Sequence, residues 1–259
     1  MPGVFIVNGF PECLEQRVHA GVAWAGPVAV GSHRSAATLL DLDVRYDIAD
    51  ITASIRKNGV PDSLVLHRSA LATGDRTRVK GIPLTSASRT LLDLGAVASR
   101  DDLELALEAA LRKRLTSIPT ILKRLETNGR GKRGVAKMRQ LLAVRGTDPT
   151  PTGSFLETRF AQFARRHRLP QMTRQFEIFD GPRFMAKVDF AIPEARLAIE
   201  VLGYRWHSGR KDWHHDFARL TRLAETGWRV MFVTKESLAA PRDLAQKIRR
   251  ALGQAQLFT

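Results

Sequence analysis

One cysteine, Cys13, is all the thiol this chain holds, so no internal disulfide can form. With no Cys-x-x-Cys pair there is no thiolate cradle for zinc either. No apolar run approaches the length of a membrane span, and the opening Met1-Pro2-Gly3-Val4 lacks the basic-then-apolar pattern of a secretory leader. These absences predict a cytoplasmic protein that does not enter a membrane. Acid is also scarce: 26 Asp and Glu face 41 Lys and Arg, leaving a formal charge of +15 over 259 residues. A field of that sign attracts nucleic acid in a salt-dependent way. A hydrophobic content of 44% excludes wholesale disorder, and the length allows two domains, each with its own core.

The few acids are placed with a pattern. Between Arg183 and His207 the chain reads RFMAKVDFAIPEARLAIEVLGYRWH. Val188, Phe190 and Ile192 make one cohesive strand, Leu197, Ile199 and Val201 another, and Ile192-Pro193-Glu194-Ala195 is a turn that folds one back on the other. Each strand carries one acid, Asp189 and Glu200. Two carboxylates brought close by adjacent strands repel each other unless a divalent cation lies between them, and carboxylate oxygens suit Mg²⁺ or Mn²⁺. The residues alone leave two readings open: a metal site for cutting phosphodiesters, or two acids at solvated strand ends.

Taken in order, the chain opens on a strand-like Met1–Gly9 with nothing before it to pair with. Helical spacing then predicts Glu12–Ala25 and, capped by Ser32, His33–Leu42. Tyr46–Ser54 alternates as a half-buried strand; Arg56-Lys57-Asn58-Gly59 is a hairpin signal into Ser63–Arg68, and Val79–Pro83 reads as one more strand. Thr85-Ser86 opens a long helix through Leu94, followed by helices at Asp101–Lys113, Ile118–Leu125 and Gly134–Val144. The Gly- and Arg-rich Asn128–Arg133 lacks the Gly-Lys-Ser/Thr ending of a nucleotide loop and reads as a solvated connector. Residues 146–153, with two prolines and two glycines, are the expected linker. Beyond it, Ser154 caps a helix to Arg168, with Leu156, Phe160, Phe163 and Ala164 inward and Glu157 beside that stripe. Strands follow at Thr173–Phe179 and at the two acid-bearing segments, then a helix Asp212–Thr226, a strand Trp228–Thr234 and a helix Pro241–Leu252. The fold class is therefore α/β (α+β), with a mixed and then helical region over 1–145 and an αβββαβα order over 154–259.

That order, with Ser154-Phe155-Leu156-Glu157, Val188-Asp189-Phe190, the run Ile199–His207, and Asp216 followed by Arg219, Arg222 and Gly227-Trp228-Arg229-Val230, resembles the PD-(D/E)xK restriction-endonuclease-like fold. Within that superfamily it is most similar to the very-short-patch-repair (Vsr-like) endonuclease group. The resemblance covers nearly all of 153–252. Residues 1–145 resemble the region found in AbiEi-type antitoxin or regulator proteins, through Ser32–Ala37, Leu66–Ser69, Gly81–Thr85 and Ser88–Leu94. In that group a winged-helix DNA-binding module comes first; here Pro2–Phe5 looks like the tail of its wing, which implies a later start or a shorter protein.

The resemblance implies that Asp189 and Glu200 hold Mg²⁺ or Mn²⁺, that Glu157 completes the site through a water, and that His207 acts beside the metal as acid/base or phosphate contact. Asp216 either orients His207 or pairs with Arg219 at i+3. Arg159, Arg165, Arg166 and Arg219 are candidate phosphate contacts, and Trp206 either stacks on a base or belongs to the core. The implied partner is DNA, with a homodimer or a toxin–antitoxin-type partner as further candidates. One position departs from the pattern. The superfamily carries a lysine two residues after the second metal acid, and Vsr-like relatives a polar residue, whereas this chain has Leu202. The expected function is thus a metal-dependent DNA endonuclease or nickase; the alternative is a catalytically degenerate nuclease fold serving as a DNA-binding regulator or antitoxin-like protein.

Overall fold

The structure is a computed structural model and describes residues 3–4, 12–54, 58–128, 134–145, 153–202 and 221–253. The chain divides into two compact units, Met1–Asp148 and Pro149–Thr259. Both combine helices with a mixed sheet, so the α+β class expected from the sequence is what is seen. Among the described residues no helix is long and apolar enough to cross a membrane.

In the first unit α1 (Leu14–Ala25) and α2 (His33–Leu39) flank a five-stranded sheet of β1 (Val30–Gly31), β2 (Ala49–Ala53), β3 (Leu64–Arg68), β4 (Arg76–Val79) and β5 (Ile82–Thr85), in the order β3-β2-β1-β5-β4. The apolar stripe of α1, with Val18 and Val22, lies on Ile51, Leu64 and Leu84. The contact is close because Gly31 sits in β1: a Cβ there would lie 2.6 Å from Val18 and 2.7 Å from Leu84. Four helices complete the unit: α3 (Ala87–Val97), α4 (Arg100–Arg112), α5 (Ile118–Asn128) and α6 (Gly134–Arg145). Their core is built on Leu91, Leu94, Leu103, Leu107, Ile121 and Met138. Where α3 crosses α6 the backbones nearly touch, and a Cβ on Gly134 would lie 2.0 Å from the Leu92 carbonyl.

Several expectations need correction here. The strand over 46–54 is not half-buried: β2 is buried at every position, because it lies between β1 and β3 with helices over the sheet. The segment after Arg56–Gly59 is not the return arm of a hairpin, since β3 runs parallel to β2, with Asp50 beside Val65 and Thr52 beside His67. Val79–Pro83 is not one strand but the turn between two. Lys80 and Gly81 take φ of 48° and 80°, the paired left-handed residues of a tight hairpin turn joining antiparallel β4 and β5. The helix His33–Leu42 stops at Leu39, where Asp41 turns left-handed at φ 55°. Ser32 begins that helix but makes no side-chain cap bond. Apart from Gly3 and Val4, the strand expected over Met1–Gly9 lies outside the described residues, as does the loop 129–133.

In the second unit α7 (Phe155–Arg166) is followed by β6 (Thr173–Asp180), β7 (Arg183–Ile192), β8 (Leu197–Val201) and β9 (Arg229–Val233), in sheet order β6-β7-β8-β9. The first three are antiparallel and β9 runs parallel to β8. Residues 221–225 are helical, and α8 (Lys235–Ala239) and α9 (Pro241–Gly253) close the unit. Phe160 and Phe163 of α7 and Leu244 and Ile248 of α9 pack on Phe190, Ile192 and Ile199. The other cluster joins Ile178, Ala186, Val188, Ala198 and Leu223.

Candidate functional site

Glu157 is fixed by the way α7 begins. Ser154 precedes the helix in extended conformation and its Oγ accepts from the Glu157 N–H at 3.2 Å, an N-cap bond. The Glu157 carboxylate bends back to accept from the Gly153 N–H at 2.7 Å through Oε2. Phe160, three residues further along the same side of the helix, packs into the core, so Glu157 is drawn inward and is only 6% exposed. Burial holds its carboxyl above the usual range, and the nearby Asp189 charge adds to that; the bonds from Gly153, Ser154 and Gln175 act the other way.

Asp189 lies where the regular pleat of β7 breaks. Ala186 and Val188 face one cluster, whereas Phe190 and Ile192 face the other, so the alternation slips by one at Asp189. Across the ladder, between the pairs Arg174–Phe190 and Phe176–Val188, stands Gln175 with φ 49°. A left-handed glutamine inside a strand is rare and strained. Its effect is to aim the side-chain amide at two acids: Nε2 donates to Asp189 Oδ1 at 3.2 Å and to Glu157 Oε2 at 3.2 Å. The other Asp189 oxygen, Oδ2, accepts from the Val201 N–H of β8 at 2.8 Å. Glu200 is buried, and it stands one step beyond Ile199, whose cross-strand partner Phe190 follows Asp189.

Glu157 and Asp189, thirty-two positions apart, are thus gathered on one amide, with Glu200 next along the neighbouring strand. Gln175 was not among the residues singled out from the sequence. A polar residue in an alternating strand carries no signal of its own, and only the register opposite Asp189 and the backbone bend reveal it. Arg159 is exposed, with Nη1 donating to Gln162 Oε1 at 3.5 Å; Arg165 and Arg166 lie exposed at the far end of α7. His207, Asp216, Trp206 and Arg219 lie outside the described residues. Leu202 is half-buried and its N–H donates to the Val233 carbonyl at 2.7 Å, extending the β8–β9 pairing.

As a donor set this fits a hard divalent cation in kind: Mg²⁺ keeps most of its waters and is bound through one or two carboxylates. Glu157 and Asp189 supply two, already close enough to disfavour their joint ionisation. Among the described residues no group of three Asp, Glu, His or Cys side chains has the geometry of a metal cage.

The first unit contains a second polar cluster, and it joins the motifs quoted above from residues 32–37, 66–69 and 81–94. Asp50, fully buried, accepts from Arg34 Nε at 2.8 Å, from Arg34 Nη2 at 3.0 Å and from His67 Nε2 at 2.8 Å. His33 stacks on His67 and bonds Ser32 Oγ through Nδ1 at 2.9 Å. Arg89, 1% exposed, donates to Asp93 and Asp75 at 2.8 Å and to Ser69 Oγ at 2.9 Å. Arg124 bonds the second oxygen of Asp75. Every charge in this group is met by an opposite one, as a load-sharing internal scaffold requires.

No family model matches the chain, and no solved structure matches it. Two uncharacterized proteins of Mycobacterium tuberculosis are similar, each 29% identical over 184 residues. The match covers 70% of this chain and 65% of either relative.

Proposed function

We propose that the chain is a metal-dependent DNA endonuclease or nickase of Vsr-like type, acting in the cytoplasm, with the second unit as its cutting domain. The observation that carries this reading is the pairing of buried Glu157 with half-buried Asp189 on the Gln175 amide. A bound Mg²⁺ or Mn²⁺ would supply Lewis-acid polarisation of a phosphodiester and a more acidic water. Asp189, oriented by Val201 N–H and Gln175, would be its fixed ligand, with Glu157 and Glu200 beside it. Glu157, whose proton affinity is raised, is suited to taking the proton from an attacking water. The formal charge of +15 attracts the polyanion to the chain as a whole.

Leu202 favours a second reading, a nuclease fold retired into DNA binding as a regulator or antitoxin-like component. Its side chain neither donates a proton nor binds a metal, and it occupies the place where the superfamily puts a lysine. Plasmid nicking with Mg²⁺ or Mn²⁺ separates the two, comparing wild type with Asp189→Asn and Leu202→Asp. Cleavage by wild type that Asp189→Asn abolishes supports the enzyme. An inactive wild type that Leu202→Asp revives supports the retired fold, and inactivity in all three with salt-dependent DNA binding leaves only the binder.

A further inference from the structure

The two most exposed aromatic rings among the described residues sit together at the end of the β6–β7 hairpin. Phe179 is 52% and Phe184 54% exposed, the two are cross-strand partners, and their rings meet edge to face at 5.7 Å. The tip is not a frayed end: Ile178, Met185 and Ala186 beside it are buried. A register shift between Ile178 and Phe179 twists the end of the ribbon, and Gly181, at φ 55°, closes the turn. The pairing of β8 with β7 extends only over Phe190–Ile192, so residues 179–184 stand beyond the β8 edge. Together the two rings make an exposed apolar patch, and such patches mark interaction sites.

We propose that Phe179 and Phe184 form a base-stacking tip that takes the faces of unpaired or unstacked bases in DNA. The proposal rests on the reading of the second unit as a DNA-acting domain. The tip and the carboxylates share one ribbon: Gln175 is four residues from Phe179, and Asp189 is five from Phe184. At about 3.3 Å per residue the separation is roughly 13–17 Å, which corresponds to about four or five base steps along one strand. A base stacked at the tip is thus within reach of a strand whose phosphate lies at Glu157 and Asp189. The ribbon's charges argue for stacking over phosphate contact. Arg183 is paired across the ladder with Asp180 and Lys187 with Glu177, which leaves this end of the ribbon nearly neutral. The polyanion is attracted by the chain as a whole, and the rings add a contact that salt does not screen.

The test measures affinity of the full chain for a duplex with a three-base bulge and for the same duplex fully paired, across a salt series. The double variant Phe179→Ala/Phe184→Ala is expected to bind the bulged duplex about ten- to a hundredfold more weakly. The slope of log affinity against log salt should not change, and affinity for the paired duplex should stay within about twofold of wild type. Independently, Phe184→Trp should show tryptophan emission quenched by bulged DNA and not by heparin. Unchanged affinity with unquenched emission overturns the proposal, as does a wild type that binds neither duplex at low salt. A variant that is monomeric where wild type is dimeric also overturns it, making the tip a contact between copies. Loss of the nuclease reading is seen separately: wild type that fails to cut yet binds bulged DNA through the two rings refutes cutting and keeps the tip.

Discussion

Gln175 reaches Asp189 across the β6–β7 ladder from a backbone turned to φ 49°. An L-residue in that region costs roughly 1–2 kcal/mol, and glycine escapes the cost. If the bend exists to aim the amide, the backbone and side-chain contributions come apart on substitution. Gln175→Gly is expected to be about 1 kcal/mol more stable than Gln175→Ala in chemical denaturation, since both lack the amide and only one is strained. Both should weaken metal-dependent cleavage at least tenfold. Equal stability of the two variants would show that the bend carries no strain.

Glu157 is the acid whose proton affinity the fold raises, through burial first and the Asp189 charge second. A folded-state pKa above the unfolded value of 4.5 means that the native state binds the extra proton in that window. Stability therefore falls as pH rises from about 4.5 through the raised value, and the penalty is fully present once the pH lies above it. Glu157→Gln keeps the acceptor for Gly153 and removes the charge. It should raise stability at pH 7 by on the order of 1 kcal/mol, flatten the pH dependence just above 4.5, and abolish cleavage. A destabilised variant at pH 7 would contradict the assignment of Glu157 as a strained member of the site.

What the sequence made legible was what local chemistry decides. Leu103 and Leu107 on one side of α4, and Phe160 and Phe163 on one side of α7, give helices whose limits differ from expectation by a residue or two. Glycine and proline punctuate the chain where it turns, and the acids Asp189 and Glu200 were visible because apolar strands do not usually carry them. Long-range pairing was not legible. Nothing between Ala53 and Leu64 signals that β3 would lie parallel to β2, because a hairpin motif and a crossover share the same turn residues. The strand β1 is two residues long, too short for any period to register. Gln175 was invisible because its role depends on a backbone bend and a partner fourteen residues away.

Arg89 is the structural centre of the first unit. Its side chain is buried with two carboxylates, Asp75 and Asp93, and removal of one partner from such a group strands the other charges. Arg89→Met is expected to cost about 3–5 kcal/mol in urea denaturation, far more than the loss of the same methylenes from an apolar site. Arg89→Lys should recover only part, because one ammonium cannot reach Asp75, Asp93 and the Ser69 hydroxyl together. A cost below about 1 kcal/mol for Arg89→Met would show that the buried acids have other means of neutralisation.

The stacking of His33 on His67, with centroids 3.6 Å apart and planes 17° from parallel, sets a pH limit on the first unit. Burial first, then His67, Arg89 and Arg34, against the opposing pull of Asp50, together push the His33 imidazole down to about 3. In the unfolded chain the same ring takes a proton near 6.5. Between about pH 6.5 and pH 3 the unfolded state thus binds one proton that the native state refuses, and stability falls as pH falls. One proton is worth about 1.4 kcal/mol per pH unit across that window. His33→Asn removes the ring while tolerating the φ of 47° at this position. Urea midpoints between pH 6.5 and pH 4 should therefore drop steeply in wild type and distinctly less in His33→Asn. Parallel curves would mean that other groups carry the acid sensitivity. Asp50 is separable from His33 on this axis, since its pKa lies below 3.8 and its own loss of stability begins only at more acid pH.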